Sequence, residues 1–200
     1  GDVLAILGTP QLNNTTEVVD YVINDLNIES SYVALYGQYF KIYDKYNDKY
    51  RWINVAGAVA GSQLRTNTSR DPWWANAGIE RGQLSGVIEL KFNPNEGDRD
   101  VLQQNKVNPI VSFPSQGNAI IWGQKTMLSR PSAFNRISTR QLFLVVEKSV
   151  NKTLKYFVFE PNDVFTRAQV LAVIVPFLED IPNQPKQKQA YPGRVLYDYP

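Results

Sequence analysis

The chain contains no histidine and no cysteine. These two absences remove Ser-His-Asp and Cys-His catalysis, Cys/His zinc sites, haem ligation through either residue and any disulfide framework. An enzyme built from what remains would depend on carboxylates, Lys, Tyr, Ser or an oxygen-ligated metal. No catalytic, cofactor-binding or metal-ligating residue is assigned, and the reading is that of a protein without an enzymatic site. A dominant charge is missing too. Against 21 Lys+Arg stand 19 Asp+Glu, a formal +2, too little to bind nucleic acid by bulk charge. No apolar run approaches the roughly 20 residues that span a bilayer, and no signal-peptide pattern opens the chain, so direct membrane insertion is not expected. What is present is a globular composition of 200 residues, 43% hydrophobic and 20% charged, with 12 Gly and 12 Pro. That suffices for one generous domain or one domain and part of another. The first residue, Gly1, runs almost directly into an apolar strand, which reads as an excised piece of a longer protein.

Hydrophobic patterning predicts the order strand, helix, strand, strand at the start of the chain. Val3–Gly8 is a continuous apolar run suited to a strand buried on both faces. Thr15 or Thr16 is placed to cap a helix over Glu17–Leu26. Tyr32–Tyr43 reads as one aromatic, β-branched strand, Lys45–Lys49 as a turn and Tyr50–Val55 as a third strand. The small residues of Ala56–Leu64 predict a short helix packed closely on the sheet. Val87–Phe92 reads as a strand, and Asn93-Pro94-Asn95-Glu96 as a helix start with Asn93 as cap and Pro94 first inside. Pro109–Phe113 and Asn118–Gly123 flank a turn at Pro114–Gly117. The resulting fold class is α/β, a layered sheet with helices, followed by the start of a smaller C-terminal α+β domain. The boundary is set near residue 130, giving 1–130 and 131–200. In the second part, Ser138 or Thr139 caps a helix to about Thr153, Tyr156–Phe159 forms a strand, and Glu160–Asp163 starts a helix reaching Leu178. Pro176 is expected to kink or end that helix. Pro182–Pro192 reads as a polar linker, and Val195-Leu196-Tyr197 as a terminal strand seeking a partner.

Two phosphate-binding readings fail on spacing. Ala56–Leu64 lacks the G-x-G-x-x-G pattern, and Gly117-x5-Gly123-Gln124-Lys125-Thr126 is one residue too long for a P-loop and encloses a strand. The aromatics Tyr36, Tyr39, Phe40, Tyr43 and Tyr46 suggest a half-buried strand rather than a ligand platform. Asp44 with Asp48, and Asp98 with Asp100, read as solubilising charges rather than as the paired carboxylates of a glycosidase.

Four segments in order carry a family resemblance. They are Asp71-Pro72-Trp73-Trp74-Ala75-Asn76-Ala77-Gly78 with Arg81-Gly82; Asn108-Pro109-Ile110 through Phe113-Pro114 and Gly117 to Trp122-Gly123-Gln124-Lys125-Thr126; Phe134–Phe143; and Phe157-Val158-Phe159-Glu160-Pro161-Asn162-Asp163. Together they resemble the contractile tail sheath proteins of myoviruses. Asn76 stands where that family usually has Pro, Ser115 where it often has Gly, and Gln141 where a second Arg is common. The resemblance implies a structural subunit with an α/β domain of subtilisin-like shape and a smaller C-terminal domain near the tail tube. It also implies a helical homo-oligomer around a tube protein in the virion tail, made in the host cytoplasm, whose contraction drives the tube through the host envelope. No nucleic acid is implied as partner. The alternative is a carbohydrate-binding or carbohydrate-active domain of a tail fibre or baseplate, resting on the aromatics and carboxylates alone.

Charge distribution adds candidate contacts. No acid lies between Asp100 and Glu147, where the chain average would place about four, while Lys106, Lys125, Arg130, Arg136 and Arg140 supply five positive charges. Asp71–Asp100 reverses the sign, with six acids against three bases. Lys125, Arg130, Arg136 and Arg140 are the candidate intersubunit contacts.

Overall fold

The structure is a computed structural model and describes residues 3–183. The chain divides into two compact units, Gly1–Leu142 and Phe143–Pro200. The division lies later than residue 130, inside a helix.

In the first unit, β1 (Ala5–Gly8) and β2 (Val33–Tyr36) pair in parallel, with Ala5 opposite Val33 and Gly8 opposite Tyr36. A parallel pair needs a crossover, supplied by α1 (Thr15–Asp20), which continues as a π-helical segment over Tyr21–Leu26. Its cap is Asn14, whose side chain accepts from the Glu17 amide at 2.9 Å, one residue ahead of the expected threonines. Asn27 ends the segment in the left-handed region at φ 38°, a conformation Asn tolerates better than most residues. The short β6 (Val107–Asn108) joins the other side of β2, giving a parallel sheet in the order β1-β2-β6.

Alternation along β2 assigns its side chains to two separate cores. Leu35 packs with Val18, Val22, Leu102, Val107 and Met127, so α1 and α4 (Glu96–Gln104) cover that face. Ala34 and Tyr36 point to the other face, among Phe40, Val55, Val59, Ile110, Ile121 and Ile137, where α2 (Ala56–Ser69) lies. This is the layered α/β arrangement that the pattern predicted.

The expected strand over Tyr32–Tyr43 is two strands in two sheets. The chain breaks at Gly37-Gln38, because β3 (Tyr39–Asp44) pairs antiparallel with β4 (Lys49–Asn54) and β5 (Glu89–Leu90) instead. A Cβ at Gly37 would lie 2.7 Å from Val107, and buried Gln38 accepts from the Ile110 amide at 2.5 Å. Both features fix the break. The Val87–Phe92 strand shrinks to β5 alone. α2 runs five residues beyond Leu64, to Ser69, and is followed by the short α3 (Gly78–Arg81).

α4 is capped by Asn95, not Asn93. The Asn95 side chain accepts from the Asp98 amide at 2.9 Å while Asp98 accepts from the Asn95 amide, a reciprocal capping box. Asn93 is otherwise engaged, exchanging two hydrogen bonds with the Ser112 backbone of β7 (Ile110–Phe113) at 2.9 and 3.0 Å. β7 and β8 (Gly117–Ile121) form the expected hairpin.

α5 (Ile137–Leu154) starts before Ser138 and Thr139, so neither is its cap. In the second unit, Tyr156–Phe159 is not a strand: Lys155–Phe157 is a 3-10 turn and Phe159 is almost fully exposed. Among the described residues no strand adjoins these four, so they have no ladder to join there. α6 (Val164–Asn183) continues through Pro176. Val195–Tyr197 and most of the Pro182–Pro192 stretch lie outside the described residues.

Candidate intersubunit surface

The joint that carries Lys125 and Arg136 is built on a buried asparagine. Asn108 is fully buried at the end of β6. Its amide nitrogen donates to the carbonyls of Leu35 (3.0 Å) and Lys125 (2.8 Å), and its Oδ1 accepts from the Lys125 backbone amide (2.7 Å). A Cβ on Gly123 would fall 2.6 Å from that Oδ1, so only glycine lets the chain pass this close. The clamped segment then bridges the start of α5. Thr126 donates its amide to Asn135 (2.8 Å), Ile137 donates to Gln124 (3.0 Å), and Lys125 stands opposite Arg136 in an antiparallel bridge. The Asn-Pro and Trp-Gly-x-Lys-Thr segments thus form one hydrogen-bonded joint.

The four candidates separate here. Lys125 is half-buried, with its Nζ donating to the Gln103 carbonyl at 3.1 Å. Burial of its ammonium, then the neighbouring charges of Lys106 and Arg136, hold it below the usual lysine range. Arg136 and Arg130 are exposed. Among the described residues, Lys106, Lys125, Arg130 and Arg136 form no ion pair with a carboxylate; the ion pairs are Lys41–Glu89, Arg51–Asp44 and Arg81–Glu80. Arg140 is different. It is 6% exposed, its guanidinium lies 3.9 Å from the Phe134 ring centre and 4.2 Å from that of Tyr32, and it donates to Ser31 Oγ at 2.6 Å. Its charge faces the interior of the first unit, where it ties α5 to the segment before β2, and it presents no contact surface. The charge window in the sequence grouped Arg136 with Arg140, but Arg136 precedes α5 and is exposed while Arg140 lies within α5 and is buried.

The loop before α3 is also a scaffold. Trp74 is buried between two guanidinium groups, Arg70 at 5.2 Å and Arg81 at 5.0 Å, and Arg81 Nε donates to the Ala75 carbonyl at 2.9 Å. Buried Asn76 accepts from Gln124 at 3.3 Å, while its own amide nitrogen has no protein partner. Gln141 accepts from Gln63 at 3.2 Å. Ser115 stands in the left-handed region at φ 67°, a physical reason for glycine at that place in the resembled pattern.

Nothing comparable supports sugar chemistry. Tyr36 and Phe40 are core residues, and Tyr46 is a fully exposed tip residue. Asp44 accepts from Asn47 at 2.7 Å and pairs with Arg51 at 2.9 Å, and Asp48 accepts from the Tyr43 hydroxyl. Asp98 serves the α4 capping box. Among the described residues no group of three or more acids could hold a metal ion, and no helix is long and apolar enough to cross a membrane.

The family described as phage tail sheath protein central domain matches residues 1–127. The chain belongs to the phage tail sheath family. The tail sheath protein of Vibrio phage KVP40 is 39% identical over 160 residues, which is 80% of this chain and 24% of that protein. The tail sheath protein of Enterobacteria phage T4 is 36% identical over 168 residues, 84% of this chain and 25% of that protein. This sheath-family chain therefore spans about a quarter of the length of the curated relatives it matches. Among solved structures, the sheath of an extracellular contractile injection system (PVC) in its contracted state superposes with a TM-score of 0.78 at 22% identity, covering 91% of this chain and 49% of that one. The contracted helical sheath of the anti-feeding prophage gives 0.75 at 21%, covering 91% and 46%. These structures share the fold.

The sheath-family sequence shows its charge window plainly but not its clamp. Asn108 was visible as part of a motif, and its role was not. The available signal was an asparagine set directly in an apolar run, Val107-Asn108-Pro109-Ile110, where only a fully bonded polar side chain is tolerated.

Proposed function

We propose that this chain is the central portion of a contractile tail sheath subunit, a structural protein without enzymatic activity. Identical subunits polymerise helically around the tail tube, and rearrangement of their contacts shortens the sheath and drives the tube through the host envelope. The observation that carries this reading is the match of the sheath central domain over residues 1–127, with 39% identity to a curated tail sheath protein across most of the chain. The first compact unit, to Leu142, acts as the α/β sheath core, and the second begins the tube-proximal domain. The protein resides in the virion tail after synthesis in the host cytoplasm, with neither nucleic acid nor membrane insertion in its role.

Lys125, Arg130 and Arg136 meet acidic surface on a neighbouring subunit. Rim ion pairs are individually worth about 0–1 kcal/mol, so a lattice of them parts and re-forms without exposing apolar core. Support comes from the three cations lacking carboxylate partners in their own unit, and from Glu96 and Asp100, exposed acids that likewise lack an ion pair. The test is the Lys125→Glu, Arg130→Glu, Arg136→Glu triple variant of the full-length protein, followed by sedimentation. The variant should stay folded and sediment as subunits where the parent sediments as assemblies. Parent-like assembly would refute the role of these charges.

A further inference from the structure

The crossover between β1 and β2 carries charge that its own helix disfavours. The first Lys or Arg of the chain is Lys41, so Glu17, Asp20, Asp25 and Glu29 of the crossover have no cation in their own segment. Glu17 is used locally, accepting from the Asn13 amide at 2.9 Å and from the Asn14 side chain at 2.8 Å. Asp20, Asp25 and Glu29 are exposed and, among the described residues, form no ion pair. Asp25 lies in the last turn of the π-helical segment, and Glu29 just beyond its Asn27 cap. Carboxylates there face the negative end of the helix dipole. Ile23, 57% exposed, and Ile28, 36% exposed, stand among them, an apolar centre with a charged rim as found in protein interfaces. The segment is also six residues of π-helix, a rare geometry that recurs at functional sites.

A complementary surface lies on the same chain. Lys125, Arg130 and Arg136 fall in a window without a single acid and, among the described residues, pair with no carboxylate. The acids that open α4 suit them less, because Glu96 and Asp98 sit in its first turn, where the dipole favours them, and Asp98 is held in the capping box. Two different complementary patches on one chain make a heterologous contact, which repeats from copy to copy and builds rings or helical arrays. We propose that Asp20, Asp25 and Glu29, set around Ile23 at the end of the crossover helix, are the acidic surface that a second copy of this chain presents to Lys125, Arg130 and Arg136. This names the acidic side of the charge contact proposed above and rests on that reading.

The test uses two variants of the full-length protein. One carries Asp20→Lys, Asp25→Lys and Glu29→Lys, the other Lys125→Glu, Arg130→Glu and Arg136→Glu. Circular dichroism checks that each stays folded, and sedimentation reads assembly. Each alone should pellet about tenfold less than the parent, and an equimolar mixture should recover to within about twofold, because every junction again joins opposite charges. Parent-like assembly of the Lys variant, beside failure of the Glu variant, would overturn this proposal and leave the role of the cations standing. Parent-like assembly of both would refute the charge contact on either side. A mixture of folded variants that does not recover would also overturn the proposal. Should a triple variant misfold, a cysteine pair decides, since these 200 residues contain no native cysteine. Asn24→Cys and Ser129→Cys in separate chains, assembled together and treated with a short bis-maleimide, should give a crosslinked heterodimer that needs both cysteines. Assemblies that yield no such heterodimer would contradict the contact.

Discussion

Removing Arg140 should destabilise the first unit rather than disturb a contact between subunits. The guanidinium lies over two rings, at 3.9 Å from Phe134 and 4.2 Å from Tyr32, and donates to Ser31 at 2.6 Å. A partly desolvated cation–π contact is worth about 0.5–2 kcal/mol and a hydrogen bond to a charged group about 1.5–3. These overlap in one side chain, and its buried Nε has no protein partner, which offsets part of the gain. Arg140→Ala should therefore cost about 3 kcal/mol. Arg140→Lys keeps the charge but loses the planar stack and should cost about 1–2 kcal/mol. Arg140→Glu adds a buried unpaired carboxylate and should cost more than Arg140→Ala. Urea denaturation followed by tryptophan fluorescence measures all three. A loss below about 0.5 kcal/mol for Arg140→Ala, combined with failed assembly, would refute the reasoning and return Arg140 to the subunit surface.

Three further outcomes are expected. Asn108→Ala strips partners from two carbonyls and one amide and should cost about 3 kcal/mol, against less than about 1 for Asn105→Ala, which removes a single bond to Val101, both read by denaturation. Ser115→Gly relieves a left-handed residue and should raise stability by about 0.5–1 kcal/mol after the entropy of glycine is set against it; a lower melting temperature would contradict this. Asp163 caps α6 through the Thr166 amide at 2.7 Å, which holds its carboxyl below the usual range. A depressed carboxylate contributes above its unfolded pKa of about 3.9 and loses that contribution as pH falls through the folded value. The helicity deficit of Asp163→Ala by circular dichroism should therefore be present at pH 6 and shrink in acid.

Legibility in the sequence followed the locality of the information. The α/β order, the β7–β8 hairpin and the helix at α6 rest on runs and periodicities within one segment, and they appear where expected. The break at Gly37-Gln38 was hidden because Val33–Tyr36 and Tyr39–Asp44 are both rich in strand-forming residues, and only pairing with strands elsewhere divides them. The Asn93 cap failed for a similar reason, since Ser112, nineteen residues away, claims that side chain. Tyr156–Phe159 shows strand-like residues without, among the described residues, the partner strand that would make them one. At the candidate surface, the charge window was legible as composition. Arg140's inward aim was not, because the groups that receive it, Ser31 and Tyr32, come from a distant segment, Ser31 lying 109 residues away in the sequence.

Electron microscopy of the purified full-length protein, with its tube protein present, tests the sheath assignment most directly. The account predicts hollow helical tubes of repeating subunits, with residues 3–142 fitting the density as a single domain and Lys125, Arg130 and Arg136 at subunit boundaries. Dispersed particles under all conditions that support tube formation, or tubes with those three side chains facing open solvent, would contradict it.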